Sequence, residues 1–294
     1  MKQQNHLIYV AFGGRDYQNE VLWSLLSLFQ YHPEPQFSIH IFTDDLTYLQ
    51  QHVPVKIEWH PLQPEQITLW KGQMDYPYRV KIKVIQNCLQ NLSGNFLYVD
   101  TDVIFRQAIT PLFKAISKGS IFMDHNEGPL FANSGGIATK MKKVLRKKAD
   151  FTLDNGEIIT LNERFEVWNS GCIGITNAQL PSLERAGNLM DVLYATYPLF
   201  SMEQLAVTAV LQGPKLQEAH WHIHHYWYYK EFRQVIHDFL SYYTTWEIRL
   251  QNAIHWDPWI LSKDKRNYKK MNFWSRTFQK IRYGYRWKNP QFNP

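Results

Sequence analysis

The sequence holds only two cysteines, Cys88 and Cys172, in 294 residues. Neither belongs to a CxxC pair, which excludes a zinc ribbon and a dense disulfide framework. Glycine and proline number 14 each, too few for a collagen-like or low-complexity chain. No apolar run reaches membrane-spanning length, and the early run LIYVAF, Leu7 to Phe12, is too short for a signal-peptide core. No GxxxxGK[ST] loop is present, which argues against P-loop NTPase chemistry. The charge excess is small, 32 basic against 26 acidic residues, or +6. What remains is a chain that is 45% hydrophobic, long enough for one large α/β domain or two small ones. It is expected in a reducing cytoplasm.

Strand-like and helix-like segments alternate through the first half. His6 to Gly13, Phe37 to Thr43, Val53 to His60, Phe96 to Phe105 and Ser120 to Met123 read as strands. Asn19 to Tyr31 and Val80 to Leu92 read as helices, the second with Val80, Ile82, Val84, Ile85 and Leu89 facing inward. This rhythm predicts an open, mostly parallel α/β sheet covered by helices on both faces. Later, Ala138 to Asp150 reads as a lysine-rich helix and Asp154-Asn155-Gly156 as a hairpin turn. Val167 to Ile175 reads as a strand and Ser201 to Leu211 as a helix. Ser134-Gly135-Gly136 suggests a hinge for a segment, residues 132 to 162, that closes over a ligand.

The stretch FLYVDTDVIF places Asp100 and Asp102 at the end of a buried strand. Residues i and i+2 of an extended chain point the same way, so the two carboxylates can converge in the crevice at the strand's carboxyl end. Two carboxylates in one site repel, and a divalent cation with oxygen preference relieves that repulsion. Taken alone, a DxD sequence is more readily a turn cap than a metal site. Three further features accompany it. Asn169, Ser170 and Gly171 of WNSG offer hydrogen bonds and close backbone approach. Glu203 and Gln204 open an apolar helix. His222, His224 and His225 precede Lys230, and a histidine can add a nitrogen ligand to a carboxylate site.

In order and spacing, LYVDTDVIF, WNSGCIGI, SMEQLAV and HYWYYK resemble the nucleotide-sugar-binding GT-A glycosyltransferases, nearest in style to glycosyltransferase family eight and its bacterial relatives. The resemblance spans about His6 to about Lys230. It implies a GT-A type, Rossmann-like catalytic domain over residues 1–262 that moves a sugar from a nucleotide-diphosphate sugar, with a UDP-sugar the common donor. Ala11, Phe12 and Gly13 would hold the base, with Asp44 in support. Arg79 and Lys83, on the helix before the aspartates, would approach the donor. Asp100, Asp102 and His225 would bind Mn2+ or Mg2+, with His222 and His224 open as alternatives. Lys230 would meet phosphate, although the family's motif has a glycine between His and Lys, where this chain has Tyr228 and Tyr229, and its Lys falls one position later. Asn169, Ser170 and Gly171 would line the sugar, and Glu203 and Gln204 its reacting face. Retaining transfer is implied, while Glu203 as a base would make the enzyme inverting. The acceptor would be a glycan, a lipid-linked sugar or a protein. The other readings are a sugar-nucleotide nucleotidyltransferase and a non-catalytic nucleotide-sugar or nucleic-acid binding protein.

From Lys263 the composition turns basic and aromatic, and residues 263–294 read as a separate tail. Asn272 to Tyr283 suggests an amphipathic helix with Phe273, Trp274, Phe278 and Ile281 toward one side. Such a tail either docks on its own domain or touches the inner face of a membrane peripherally.

Overall fold

The computed structural model describes residues 4–132, 136–162, 164–288 and 290–294. The expected hinge residues Ser134 and Gly135 lie outside them. The chain opens with β1 (Gln4–Ala11), α1 (Arg15–Tyr31), β2 (Ser38–Thr43), α2 (Leu46–His52), β3 (Glu58–Pro61) and α3 (Pro64–Lys71). It continues with α4 (Tyr78–Asn91), β4 (Gly94–Val99), β5 (Val103–Phe105), α5 (Thr110–Ile116), β6 (Ile121–Met123) and β7 (Asn126–Pro129). Then come α6 (Gly136–Leu145), β8 (Asp150–Thr152), β9 (Ile158–Thr160), β10 (Glu166–Trp168), β11 (Cys172–Thr176), α7 (Leu180–Thr196) and α8 (Met202–Leu211). Last are β12 (Leu216–Glu218), β13 (Ile223–His225), α9 (Phe232–Tyr242), α10 (Trp246–Ala253), α11 (Pro258–Leu261), α12 (Lys263–Lys270) and α13 (Phe273–Tyr283).

Seven strands form the central sheet in the order β12-β6-β11-β4-β1-β2-β3. All neighbours run parallel except β11, which is antiparallel to both β4 and β6. The expected α/β class with a mostly parallel sheet is therefore what the chain adopts. Alternation along the strands builds two cores, because successive side chains point to opposite faces. Leu7, Tyr9 and Ala11 of β1, with Leu97 and Val99 of β4, pack under α1, α5 and α9. Ile8 and Val10, with Phe96 and Tyr98, pack under α4, α7 and α8. The five inward positions expected on α4 are all buried.

Several boundaries differ from the sequence reading. The expected strand from Val53 narrows to β3 at Glu58–Pro61, since Val53 caps α2 and Pro54 has no N–H to offer a ladder. The lysine-rich helix stops at Leu145, and Asp150 already starts β8, whose Phe151 is fully buried. The DNG hairpin forms between β8 and β9, with Gly156 at φ 85°. WNSG interrupts rather than continues its strand: Trp168 ends β10 and Cys172 begins β11. Among the described residues no helix is long and apolar enough to cross a membrane.

Candidate functional site

Sheet order locates the site. From β1 the chain steps to β2 and β3 on one side, while β4 lies on the other. The carboxyl ends of β1 and β4 thus flank a topological switch point, where open α/β sheets bind ligands. The loop after β1 holds Phe12 and Gly13, and the loop after β4 holds Asp100 to Asp102. Because β11 runs antiparallel to β4, with Cys172 opposite Val99, the Asn169-Ser170-Gly171 turn before β11 arrives at the same end. The Asp100 N–H donates to the Gly171 carbonyl at 2.8 Å.

β13 pairs antiparallel with β5, and His225 lies opposite Val103. That register sets His225 beside Asp102. The period-two alternation turns His224 away, to the Tyr228 hydroxyl at 3.3 Å, while His222 Nδ1 meets the Ala108 carbonyl. Of the three histidines, then, the structure brings His225 to the aspartates. One ligand atom each from Asp100, Asp102 and His225 falls within 4.8 Å of the others. His225 Nε2 is 3.1 Å from Asp102 Oδ1 and 3.7 Å from Asp100 Oδ2, and its Nδ1 is 2.9 Å from Asn169 Oδ1. Gly171 is required here, because a methyl in place of its hydrogen would overlap the imidazole.

Charges around this cluster are organised in two groups. Lys230 Nζ donates to Asp102 Oδ2 at 2.6 Å while half its side chain stays exposed. Burial disfavours the Asp102 carboxylate, but His225 and Lys230 more than offset it and hold its pKa well below the usual range. Burial likewise opposes the imidazolium of His225, and the facing Asp102 nevertheless lifts it to about 9. The second group centres on Lys81, which lies 3.2 Å from Asp100 Oδ1 and 3.3 Å from Glu203 Oε1 and donates to the Ser170 carbonyl at 2.6 Å. The Ser170 hydroxyl donates to Glu203 Oε2 at 2.9 Å, and Tyr98 donates to Asp100 at 2.7 Å. Burial pushes the Glu203 carboxyl up, and Lys81, shared with Asp100, offsets only part of that. Gln204 and Asn169 both donate to Glu127, at 3.1 and 3.0 Å.

At the β1 end, Asp44 accepts from the Gly13 N–H and from Gln18, both at 2.8 Å, so the first and second strand loops are tied together. Ala11 is fully buried in the sheet. Arg79 and Lys83 are not brought to the aspartates. Arg79 Nε donates to Asp191 at 2.9 Å and its guanidinium to the Trp70 carbonyl. Lys83 is half-buried beside Arg79, Asp191 and Glu184, and burial lowers its pKa.

The face of α4 that meets the site carries Lys81, which the sequence reading passed over. A signal existed: Lys81 stands among the inward Val80, Ile82, Val84 and Ile85, where a charge implies a buried partner. Glu20 was also missed. It is fully buried on α1, accepts from Thr101 at 2.8 Å and from Arg233 at 2.8 Å, and so pins the aspartate loop to α9.

No family model matches the chain, and no curated protein matches it. Among solved structures it is similar to the galactosyltransferase LgtC in complex with donor and acceptor sugar analogues, at TM-score 0.48 and 13% identity, over 73% of each chain. It is similar to mouse xyloside xylosyltransferase 1 in its apo form, at TM-score 0.46 and 12% identity, over 73% of this chain and 84% of that one. It is also similar to the glycosyltransferase GlyE of Streptococcus pneumoniae, at TM-score 0.42 and 12% identity, over 74% of this chain and 45% of that one. These structural neighbours are glycosyltransferases. At scores below 0.5 the likeness is a partial overlap of chain path and carries no chemistry across.

Proposed function

We propose that this protein is a divalent-metal-dependent glycosyltransferase that takes a sugar from a nucleotide-diphosphate sugar, a UDP-sugar in the first instance, and transfers it with retention. The observation that carries this reading is the meeting of Asp100, Asp102 and His225 at the carboxyl end of β4. Two carboxylates and one imidazole form a donor set suited to Mn2+ or Mg2+. The imidazole fits the role because Asn169 engages its Nδ1 and leaves Nε2 toward the aspartates. A cation there would act as a Lewis acid toward the departing nucleotide diphosphate.

The chain's own residues supply the rest. Lys230, half exposed and paired with Asp102, would meet a phosphate oxygen of the donor. Phe12 and Gly13 lie at the neighbouring strand end, where the base would sit, with Asp44 fixing the Gly13 backbone. Asn169 and Gln204, both held by Glu127, would orient the sugar. Glu203 is buried and engaged by Lys81 and Ser170, a setting that suits positioning better than proton abstraction. That favours retention over an inverting mechanism, which needs a free base at the acceptor hydroxyl. The acceptor class would be a glycan, a lipid-linked sugar or a protein side chain.

A thermal-shift screen of nucleotide sugars tests the reading. A ligand that binds only the folded state stabilises it by about 2.7 kcal/mol at a hundredfold excess over its Kd. The expected result is a raised Tm with a UDP-sugar and manganese together, lost on adding a chelator, and metal-dependent donor hydrolysis. Absence of any shift across nucleotide sugars, with manganese or magnesium present, would overturn the proposal.

A further inference from the structure

The tail is neither free nor wholly docked. Lys265, on α12, is buried and donates to Glu231 Oε1 at 2.8 Å. At the other end, the Phe292 ring packs on Phe239, Tyr243 and Trp256 with centroids 5.7, 5.9 and 4.9 Å away. Trp287 returns over Tyr268 at 5.5 Å and lies 5.0 Å from the Lys265 ammonium. Between these two anchors stands α13.

α13 is a finished helix. Asn272 caps its start by accepting from the Ser275 N–H at 2.9 Å, and Gly284 ends it in the left-handed region at φ 71°. Its back is held by two polar bonds, Arg276 Nε to the Tyr268 carbonyl at 3.1 Å and Gln279 to the Arg286 carbonyl at 2.7 Å. Its front is bare. Phe273, Trp274, Phe278 and Ile281 are 72%, 78%, 62% and 78% exposed. At 100° per residue these four span an arc of about 140°, with Lys280 and Arg282 on its two borders. A contiguous apolar face of this kind on a folded chain marks an interaction surface.

Charge selects the partner. The tail carries ten basic residues and one acid, while the whole chain is only +6, so residues 1–262 are net negative. An anionic surface attracts the tail and repels the rest of the chain, which also fixes orientation. Large apolar and aromatic side chains bordered by Lys and Arg are the pattern of a helix lying in a lipid interface. We propose that α13 seats this protein on an anionic membrane surface, with Phe273, Trp274, Phe278 and Ile281 entering the interface and the basic side chains against the headgroups. The proposal does not depend on the transferase reading.

The test is cosedimentation of the full chain with vesicles. Binding to phosphatidylglycerol–phosphatidylcholine vesicles is expected at low salt, weak or absent on pure phosphatidylcholine, and reduced at high salt. Replacing Phe273, Trp274, Phe278 and Ile281 by serine should weaken it by about tenfold or more, with Tm unchanged because the four side chains touch solvent. Lys280→Gln and Arg282→Gln should each weaken it by about fivefold. No binding to anionic vesicles at low salt would overturn the proposal. So would equal binding to neutral vesicles, or a dimer in solution that the four-serine variant converts to monomer, which would assign the face to a second copy.

Discussion

Asp100 and Asp102 share a motif but not an environment. Asp102 is buried and ion-paired with both His225 and Lys230, whereas the Asp100 side chain is 28% exposed. A pair read from sequence as mutually repelling is thus internally neutralised before any cation arrives. Asp100→Asn and Asp102→Asn are both expected to abolish metal-dependent donor turnover. Their stabilities should differ: removing the Asp102 charge breaks its buried pairs with His225 and Lys230 and costs about 3 kcal/mol, while Asp100→Asn costs less. Thermal melts of the metal-free variants check the order, and a larger loss for Asp100→Asn would sink this account. Lys81 and Glu203 form the second residue-scale unit. Lys81→Met leaves Glu203 buried without its cation, and Glu203→Gln leaves Lys81 with Asp100 and Ser170 only. The double variant should therefore be less destabilised than the sum of the singles, by about 1 to 3 kcal/mol. Additive losses in a double-mutant cycle would show that the two are not coupled.

At the scale of elements, three adjacent parallel strands carry a chain of histidines. His6 on β1 is 2.9 Å from His40 on β2, which is 3.0 Å from His60 on β3. Burial lowers the pKa of all three, and His40, with His6 and His60 also against it, reaches about 4. A folded-state pKa below the unfolded value of 6.5 means the unfolded chain takes up the proton first. The stability these neutral imidazoles allow is full above about pH 6.5 and lost as pH falls through the interval down to about 4. Denaturant unfolding across that interval should show a fall on the order of 3 kcal/mol from His40. His40→Gln should flatten the slope, and an unchanged slope in that variant would assign the acid sensitivity elsewhere.

At the scale of the whole molecule, the two ends of the tail are packed into the rest of the chain. A chain ending at Ser262 loses the Phe292 packing on Phe239, Tyr243 and Trp256 and leaves Glu231 without Lys265. It is expected to melt several degrees lower, since about 1 kcal/mol corresponds to a few degrees in a chain of this size. The four-serine variant of α13, by contrast, should melt unchanged. If the truncated chain melts at the full-length temperature, the terminal contacts contribute nothing. Deletion is therefore a poor probe of membrane contact here, and point substitution the better one.

The chain itself determined the strand–helix alternation, the two-faced burial of β1 and β4, the DNG hairpin and the capped helix at Phe273–Tyr283. Each is written in local periodicity or in turn and cap chemistry, which act over a few residues. It also announced the aspartates, because two charges at the end of an apolar run need partners of opposite charge, and the run itself carries none. Which histidine joins them was a matter of register: only the pairing of β13 with β5 separates His225 from His224. Which cation on α4 faces the site was a matter of helix rotation, and there the choice of Arg79 and Lys83 missed Lys81 by half a turn. Glu20 on α1 and Glu127 on β7 come from separate segments that converge on the site only when the sheet is assembled. Long-range convergence of this kind leaves no periodic trace in sequence, since the partners of a buried charge are chosen by topology and not by neighbours along the chain.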